Sequence, residues 1–270
     1  MAIQGLLEEV AISTPDKAWE EIFSESNIRR CFKQYILPKR GQGVDRISVD
    51  LFNRDLQTHV SIIAKKCKEG TYKFSPYLEA LQSKGRDKHP RVISIPTVRD
   101  RLVLKLLTEY LHFSFEEYIA RDLPNTVIKK IKKEIIRNDA DYYIKLDLKN
   151  FFGSISHENL FKKIEAKNTH KPFLKLLKKA IQNSTFPANY SAKQRKEAKK
   201  NIVGVPQGLS ISNILAEIYV QELDVGIRPI SKAYFRFVDD VFILCDNNSI
   251  QSVWNGINAL SIQIGIELSK

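Results

Sequence analysis

The sequence predicts an α+β fold in which helices are combined with small sheets. Apolar residues recur at helical spacing over residues 49–68 and 101–115. Alternation over residues 142–148, and two apolar runs on either side of Asp239, indicate strands instead. With 270 residues and a hydrophobic composition of 43%, the chain is predicted to form one large or two closely joined globular units.

The first 140 residues are predicted to form a largely helical subdomain. Between its two helices, the segment RVISIPT at residues 91–97 alternates as a short strand that Pro96 closes. The chain shows no internal repeat or low-complexity tract, and its linker-like stretches are short: residues 38–43, 82–90 and 184–201. It is therefore predicted to be continuously folded.

The strand at residues 142–148 is predicted to carry an acidic residue on its open face. Its apolar residues share one face, because strand side chains alternate: Ile144, Leu146 and Leu148. Asp147 lies on the other face, with Tyr143 and Lys145. Asp147 therefore points away from the apolar face.

The remaining elements belong to a second subdomain, residues 141–270. A helix is predicted over residues 213–223, directly after the loop VGVPQGLSIS. The apolar runs YFRFV and VFILC flank Asp239 and Asp240, which predicts a hairpin with the acidic pair at its tip. A basic helical insertion is predicted at about residues 160–200.

The charge of the chain favours a polyanionic partner, since 43 basic and 31 acidic residues give a formal net charge of +12. Residues 162–200 alone contain 12 Lys or Arg and two Glu, a net charge of +10. Nucleic acid is the first candidate partner and a membrane surface the second. The alternative for this segment is a solvated helix face followed by a loop, which needs no ligand.

Cysteine usage and hydropathy predict a reduced, soluble, cytoplasmic protein without a membrane partner. Cys31, Cys67 and Cys245 are far apart and lack the spacing of a zinc site or a disulfide framework. The N-terminal segment reaches Glu8 and Glu9 before any apolar run of signal-peptide length. No later stretch reaches the roughly 20 apolar residues that a membrane span needs.

The adjacent carboxylates Asp239 and Asp240 are candidate metal ligands. Like charges at close range oppose ionisation, and a divalent cation removes that cost. Mg²⁺ prefers carboxylate and phosphate oxygens, and two such ions stabilise both the attacking and the leaving oxygen of a phosphoryl transfer. Taken alone, an Asp-Asp pair is ordinary turn chemistry. Asp147 lies 92 positions earlier (239 minus 147), so only a tertiary fold can bring it to the pair.

Three segments resemble the palm motifs of bacterial reverse transcriptases and occur in the order of that family: DLKNFF at residues 147–152, VPQGL at 205–209 and FVDD at 237–240. Upstream segments are similar to its fingers signatures: GVD at residues 43–45, KEGTY at 68–72 and RVISIPTVRDR at 91–101. The resemblance covers residues 40–270. It implies a right-hand polymerase fold, with fingers and an N-terminal extension at residues 1–140 and a palm at 141–270.

The resemblance implies roles for individual residues. The implied ligands of two Mg²⁺ or Mn²⁺ ions are the catalytic residues Asp147, Asp239 and Asp240 and the carbonyl of Leu148. Phe152 matches the bulky steric-gate position that excludes a ribose 2′-hydroxyl, which implies DNA as the product. Its neighbour Phe151 is expected to pack in the core.

Further residues are implied to contact the nucleotide and the nucleic acid. Gln207 and Gly208 would contact the template base and the incoming nucleotide, since glycine allows close backbone approach. Arg91 would hold the triphosphate, with Lys84 or Lys88 as a second cation. The basic segment supplies the candidate nucleic-acid contacts: Lys162, Lys163, Lys193, Arg195, Lys196, Lys199 and Lys200.

Within the family, the sequence is most similar to defence-associated, abortive-infection enzymes, with retron enzymes close to them. Leu209 follows Gly208, where group II intron and retroviral enzymes more often carry a small residue. No FGxRPGRS-like segment lies between Arg101 and Asp147, where intron-encoded maturases usually carry one. Phe237 replaces a common Tyr but keeps the ring, so activity is expected to survive.

The implied activity is RNA-directed or untemplated DNA synthesis in bacterial antiviral defence. The expected partners are an RNA template, a DNA product and deoxynucleoside triphosphates, and a non-coding RNA, a protein partner or self-association are left open. The alternatives are a retron- or group II intron-type enzyme, an RNA-dependent RNA polymerase and a non-polymerising nucleic-acid-binding subunit. The palm stops within its next motif at residues 265–270, so the absent thumb is expected from a longer chain or a partner.

Overall fold

A computed structural model describes residues 14–83, 85–86, 89–119, 122–137, 140–191, 193 and 200–269. Its α-helices are α1 Pro15–Ile22, α2 Glu25–Cys31, α3 Val49–Arg54, α4 Leu56–Lys68, α5 Val98–Ser114, α6 Pro124–Arg137, α7 Phe151–Ser154, α8 His157–Lys167, α9 Lys171–Ile181, α10 Ser212–Ile227 and α11 Ile250–Ile264. A π-helical turn, Phe32–Ile36, continues α2. The strands are β1 Tyr77–Gln82, β2 Arg91–Ile95, β3 Tyr142–Lys149, β4 Thr185–Phe186, β5 Ala233–Phe237, β6 Asp240–Cys245 and β7 Glu267–Ser269.

The chain divides into two compact units whose boundaries differ from the predicted division at residue 140. The first unit contains residues up to Glu116 together with Ile164–Ile202 and Pro206–Ser212. The second contains Glu117–Lys163, Val203–Val205 and Asn213–Lys270. Helix α6, which ends before residue 140, packs against β5 of the second unit. Most of the predicted basic insertion belongs to the first unit.

The first unit combines a helical core with a three-stranded sheet of order β2-β1-β4. β1 and β2 are antiparallel, and β1 pairs with β4 in parallel. The central helix α5 is buried along most of its length. Trp19 packs edge-on against Tyr110 of α5 with a centroid distance of 4.9 Å, and Tyr110 in turn contacts Phe173 of α9 at 4.8 Å.

Local signals explain where the helices of the first unit begin. Thr97 caps α5, since its side chain accepts a hydrogen bond from the Asp100 amide at 3.1 Å, and α5 therefore starts before the predicted residue 101. The predicted helix over residues 49–68 is two helices, because Asp55 leaves helical geometry at φ −118° and ψ 33°. β2 ends at Ile95, directly before Pro96, as predicted.

The second unit is built on a four-stranded antiparallel sheet of order β5-β6-β3-β7. One face is apolar and buried, and it carries Leu146, Leu148, Val241 and Ile243. The other face carries Asp147 with the exposed side chains of Tyr143 and Lys145. Both faces of β3 therefore follow the predicted alternation, which confirms the α+β fold class at this strand.

Helices α10 and α11 belong to the buried side of the second unit. The buried Tyr219 of α10 donates its hydroxyl to the carbonyl of Ile264, at the end of α11. Gly265 ends α11 in the left-handed conformation that suits a helix C-terminus. None of the helices in the described ranges combines the length and apolar character needed to cross a membrane.

Candidate active site

The strand register of the second unit places Asp147 directly opposite Asp240 on the neighbouring strand. One residue further along β3, the Leu148 amide donates a hydrogen bond of 2.9 Å to the carbonyl of Asp239. Opposite pairs in an antiparallel ladder alternate between hydrogen-bonded and non-hydrogen-bonded. Asp147 and Asp240 therefore form a non-hydrogen-bonded pair, the class in which Cα atoms approach to about 4.5 Å.

The acidic pair lies at a tight hairpin between β5 and β6. Phe237 and Asp240 are register partners, so only Val238 and Asp239 form the turn. Asp240 is exposed and Asp239 is partly exposed. Val238 adopts φ +57°, a left-handed conformation that β-branched residues rarely occupy. The acidic pair is therefore at the hairpin tip, and its backbone there is strained.

Asp147 is partly buried and has a hydrogen-bond partner that sequence reasoning missed. Ser269 of β7 pairs with Asp147 in register, and its hydroxyl donates to the Asp147 Oδ2 atom at 3.2 Å. The same hydroxyl lies 3.2 Å from the Asp147 carbonyl oxygen. Ser269 thus orients the Asp147 carboxylate, and nothing in the local sequence signalled this contact.

The donor set suits a hard divalent cation. Carboxylate and carbonyl oxygens are the ligands that Mg²⁺ and Mn²⁺ prefer. The backbone brings Asp147 and Asp240 face to face and ties Leu148 to Asp239. Within the described ranges, no three Asp, Glu, His or Cys side chains already converge as a metal cluster. The residues fit such an ion by the chemistry of their oxygen donors and by the strand register that places Asp147 opposite Asp240.

Phe151 and Phe152 follow β3 and face different surroundings. Asn150, at φ +48°, turns the chain from β3 into α7. Phe151 is 2% exposed and belongs to the core, as predicted, whereas Phe152 is partly exposed. The Phe152 side chain is therefore accessible from solvent, as a steric gate requires.

A short segment, Val203–Val205, packs across the backbone that follows Phe152 and is hydrogen-bonded to it. The amide of Val205 donates to the Phe152 carbonyl at 2.7 Å, and the amide of Gly204 donates to the Ile155 carbonyl at 2.8 Å. Gly204 has φ +79°, and a Cβ atom there would lie 2.8 Å from the Gly153 carbonyl oxygen. Only glycine fits this approach. We call Val203–Val205 the gate strap.

The buried His157 holds the gate strap from the other side. Its Nε2 atom is 2.7 Å from the Gly204 carbonyl oxygen, which assigns the ring proton to Nε2 as the donor. His157 lies at the first residue of α8 and is 8% exposed. Its role beside the gate strap was not predicted from the sequence, where a single histidine carries no distinctive spacing.

The predicted nucleotide contacts of the first unit lie on and beside β2. Arg91 is exposed at the first residue of β2, opposite Gln82. The carbonyl of Gln207 accepts a hydrogen bond from the Ser94 amide at 2.7 Å. Gly208 has φ +96°, and a Cβ atom there would lie 2.7 Å from the Ile93 side chain. Packing against β2 therefore explains Gly208 without a ligand. Lys84 and Lys88 lie outside the described residues.

The predicted nucleic-acid contacts differ in their availability. Lys162 is 68% exposed and forms a surface pair with Glu158 at 2.7 Å. Lys163 is only 18% exposed, and its ammonium lies 2.8 Å from the carboxylate of Glu222. Lys163 links α8 to α10 and is less accessible than Lys162, and its contact with nucleic acid stays a prediction. Lys193 and Lys200 are exposed, and the other three predicted residues lie outside the described ranges: Arg195, Lys196 and Lys199.

A buried charge cluster behind the hairpin was also missed. Arg236 of β5 contacts the carboxylates of Glu217 and Asp224 on α10. The signal was present in the sequence: an arginine within the apolar run YFRFV, and two acidic residues, Glu217 and Asp224, seven positions apart in a mostly apolar helix. Positions seven apart lie on one helix face, two turns from each other.

Comparison with known proteins identifies the family. The family model described as reverse transcriptase (RNA-dependent DNA polymerase) matches residues 82–270. The group II intron-encoded protein LtrA of Lactococcus lactis subsp. cremoris is 26% identical over 211 residues, which are 75% of this chain and 34% of that protein. The Retron Ec83 reverse transcriptase of Escherichia coli is 29% identical over 160 residues, 56% of this chain and 47% of that protein.

Other similar proteins include an uncharacterized 91 kDa protein in the cob intron of Schizosaccharomyces pombe, 28% identical over 71% of this chain and 22% of that protein. Solved telomerase structures from Candida tropicalis and Candida albicans align with 83% of this chain, at 14% and 16% identity, with TM-scores of 0.47 and 0.49. They are covered to 55% and 45%. The chain thus spans less than half the length of each of these curated relatives.

The fold is that of the hand-shaped nucleotide polymerases, with helices and antiparallel strands as predicted. More specifically, the chain belongs to the reverse transcriptase family, because that family's model matches well over half of its residues. The resemblance inferred from the three palm motifs is confirmed.

Proposed function

We propose that this chain carries the polymerisation centre of an RNA-directed DNA polymerase that uses two divalent ions, Mg²⁺ or Mn²⁺. The observation that carries the proposal is the register of β3 and β6, which sets Asp147 opposite Asp240 at the strained hairpin. Family membership supports the class of reaction. Bound ions would stabilise the attacking and leaving oxygens of the phosphoryl transfer.

The residues of the chain have distinct proposed tasks. Asp147, Asp239 and Asp240 hold the ions, together with the carbonyl of Leu148. The partly exposed Phe152 excludes a ribose 2′-hydroxyl. The gate strap packs so closely on the backbone beside Phe152 that a Cβ atom at Gly204 would clash with it. This close packing holds the backbone beside Phe152 in place. The chain therefore positions both the ions and the sugar of the incoming nucleotide.

In the first unit, we propose that Arg91 binds the triphosphate of the incoming nucleotide. Its exposed guanidinium at the start of β2 provides paired donors for phosphate oxygens. Gln207 and Gly208 are proposed to border the template base. The nucleic acid is proposed to be an RNA template with its DNA product, bound in part by Lys162.

The test is incorporation of deoxynucleotides by the purified full-length protein on a primed RNA template with Mg²⁺ or Mn²⁺. Asp239→Ala with Asp240→Ala is expected to abolish incorporation, because two ion-binding carboxylates are lost. Asp50→Ala with Glu69→Ala removes the same formal charge at exposed positions and serves as the control. If the hairpin variant incorporates nucleotides at the wild-type rate, the proposed centre is wrong.

The same assay separates the alternative functions. A non-polymerising binding subunit retains template without incorporating either class of nucleotide, and an RNA-dependent RNA polymerase incorporates ribonucleotides in preference. Untemplated synthesis yields product when the template is omitted. Each outcome identifies one of the activities left open by the sequence.

We further propose that the enzyme serves antiviral defence in the bacterial cytoplasm, with retron- or group II intron-type function as the alternative. The support is Leu209 after Gly208 and the missing maturase-like segment. Phage challenge of bacteria that express the wild type or the Asp239→Ala, Asp240→Ala variant tests this role. Equal phage titres on both strains would refute it.

A further inference from the structure

The guanidinium of Arg236 is buried and uses all of its hydrogen-bonding directions. The side chain is 4% exposed. Nε and Nη2 donate to the two oxygens of Asp224 at 2.7 and 2.6 Å, and Nη1 and Nη2 donate to the two oxygens of Glu217 at 3.1 and 2.5 Å. Nη1 also donates to the carbonyl of Val238 at 3.0 Å.

The two carboxylates keep this buried cation charged. Burial alone would lower the pKa of Arg236, but its hydrogen bonds and charge interactions with Asp224 and Glu217 outweigh burial and raise that pKa above its ordinary value. Both partners are themselves largely buried, at 11% and 13% exposure. Tyr234 adds a hydrogen bond of 2.7 Å from its hydroxyl to Asp224. The cluster is thus a rigid support on the buried face of the sheet.

The bond to Val238 connects this support to the acidic pair. Val238 is the first residue of the two-residue turn and has φ +57°. A β-branched residue leaves this conformation unless its surroundings hold it there. Asp239 follows directly, and its carbonyl accepts the Leu148 amide of β3. A change in the Val238 turn would therefore shift both acidic residues relative to Asp147.

We propose that Arg236 is a positioning residue, which clamps the strained Val238 turn and thereby holds Asp239 and Asp240 in place against Asp147. The proposal rests on the polymerisation centre proposed above. The competing explanation is that Arg236 only joins β5 to α10 and has no effect on the turn. Joining the two elements needs only the contacts to Glu217 and Asp224, whereas the hydrogen bond from Nη1 to the Val238 carbonyl stabilises the turn itself.

The test compares four proteins: wild type, Arg236→Lys, Arg236→Lys with Val238→Gly, and Tyr234→Phe. Lysine keeps the charge but lacks the planar fork that reaches two carboxylates and a carbonyl together. Glycine adopts positive φ without steric cost, so it stabilises the turn without the clamp. Tyr234→Phe removes one hydrogen bond from the same cluster but leaves the bond to Val238 intact. Circular dichroism and thermal unfolding measure folding in each.

Two readouts are used, of which one does not require activity. Mn²⁺ binding is measured by electron paramagnetic resonance, and nucleotide incorporation is measured as kcat and KM. Arg236→Lys is expected to weaken Mn²⁺ binding and lower kcat by about tenfold or more, as loss of a partner that orients metal ligands does. The KM for the deoxynucleotide is expected to stay within about twofold, since its contacts are unchanged. Val238→Gly is expected to restore part of both losses, and Tyr234→Phe to change neither.

The outcomes are distinguishable. Folded Arg236→Lys protein with wild-type Mn²⁺ affinity overturns the proposal, as does a loss of affinity that Val238→Gly does not relieve at all. If Arg236→Lys and Tyr234→Phe lose Mn²⁺ affinity to the same extent, Arg236 only joins β5 to α10, and the proposal is also overturned. If Mn²⁺ affinity responds as expected but the wild type incorporates no nucleotide, the clamp stands and the proposed polymerase activity fails.

Discussion

At the scale of single residues, the backbone turn places two adjacent phenylalanines in different environments. Phe151 is 2% exposed, and Phe152 is partly exposed beside the gate strap. The turn at Asn150, with φ +48°, ends the strand alternation and begins α7. Neighbouring helical positions point about 100° apart, so one ring enters the core and the other leaves it.

This difference predicts that removing the Phe152 ring changes nucleotide selectivity, whereas removing the Phe151 ring changes stability. Phe152→Ala is expected to raise the use of ribonucleotides relative to deoxynucleotides with little change in stability, because the barrier is steric. Phe151→Ala is expected to lower the free energy of unfolding by about 3–5 kcal/mol without changing that ratio in the folded fraction. Competition between labelled nucleotides and urea unfolding measure the two effects. An unchanged ratio in Phe152→Ala would remove Phe152 from the site.

At the scale of elements, the gate strap is held by backbone contacts more than by its side chains. Its amides bind the carbonyls of Phe152 and Ile155, and His157 binds the carbonyl of Gly204. An isolated bridge between Ser156 and Val203 adds a further backbone contact. The glycine is required twice, for its φ of +79° and for its close approach to Gly153.

Gly204→Ala is therefore expected to destabilise the protein more than Gly265→Ala. Gly265 also has positive φ, at +72°, but open space surrounds its Cβ direction. Gly265→Ala should cost only the left-handed strain of about 1–2 kcal/mol, whereas Gly204→Ala adds a clash with the backbone. Urea unfolding of both variants measures the difference. Gly204→Ala is also expected to loosen sugar discrimination, because the strap holds Phe152. Equal destabilisation of the two variants would refute this account of the strap.

At the scale of the whole molecule, the formal charge of +12 is distributed unevenly. Some of the basic side chains are paired with acidic side chains inside the fold. Lys163 pairs with Glu222, and Arg236 pairs with two carboxylates. Lys162 pairs with Glu158 only at the surface, and a polyanion can compete for so exposed a pair. Counting charges along the sequence therefore overstates the number of phosphate contacts the chain can make.

Affinity for nucleic acid is expected to fall linearly with the logarithm of salt concentration, because each phosphate contact releases counterions. Lys162→Gln is expected to reduce that slope by about 0.7–0.9, the value of one contact. Lys163→Gln, its neighbour, is expected to leave the slope unchanged, since the Lys163 side chain is largely buried against Glu222, whereas Lys162 pairs with Glu158 at the surface. Fluorescence anisotropy across a salt series measures both. A salt-independent affinity of the wild type would favour the solvated-surface interpretation of the basic segment.

Much of the candidate site was predictable, because its signals are local. Strand alternation has a period of two, so the face of Asp147 followed from the residues around it. The apolar runs around Asp239 and Asp240 predicted the hairpin in the same way. The predicted helix over residues 49–68 was wrong in one respect, since apolar spacing continues through Asp55 while the backbone does not.

The sequence by itself determined the motifs, their order and therefore the reverse transcriptase family, together with the α+β class. Only the tertiary structure decided that Asp147 meets Asp240, which lies 93 positions later in the chain (240 minus 147), and that Arg236 is held by residues of another element. The physical reason is that periodicity specifies which way a side chain points within its own strand or helix. Which partner it meets depends on the register and packing of elements that are distant in sequence.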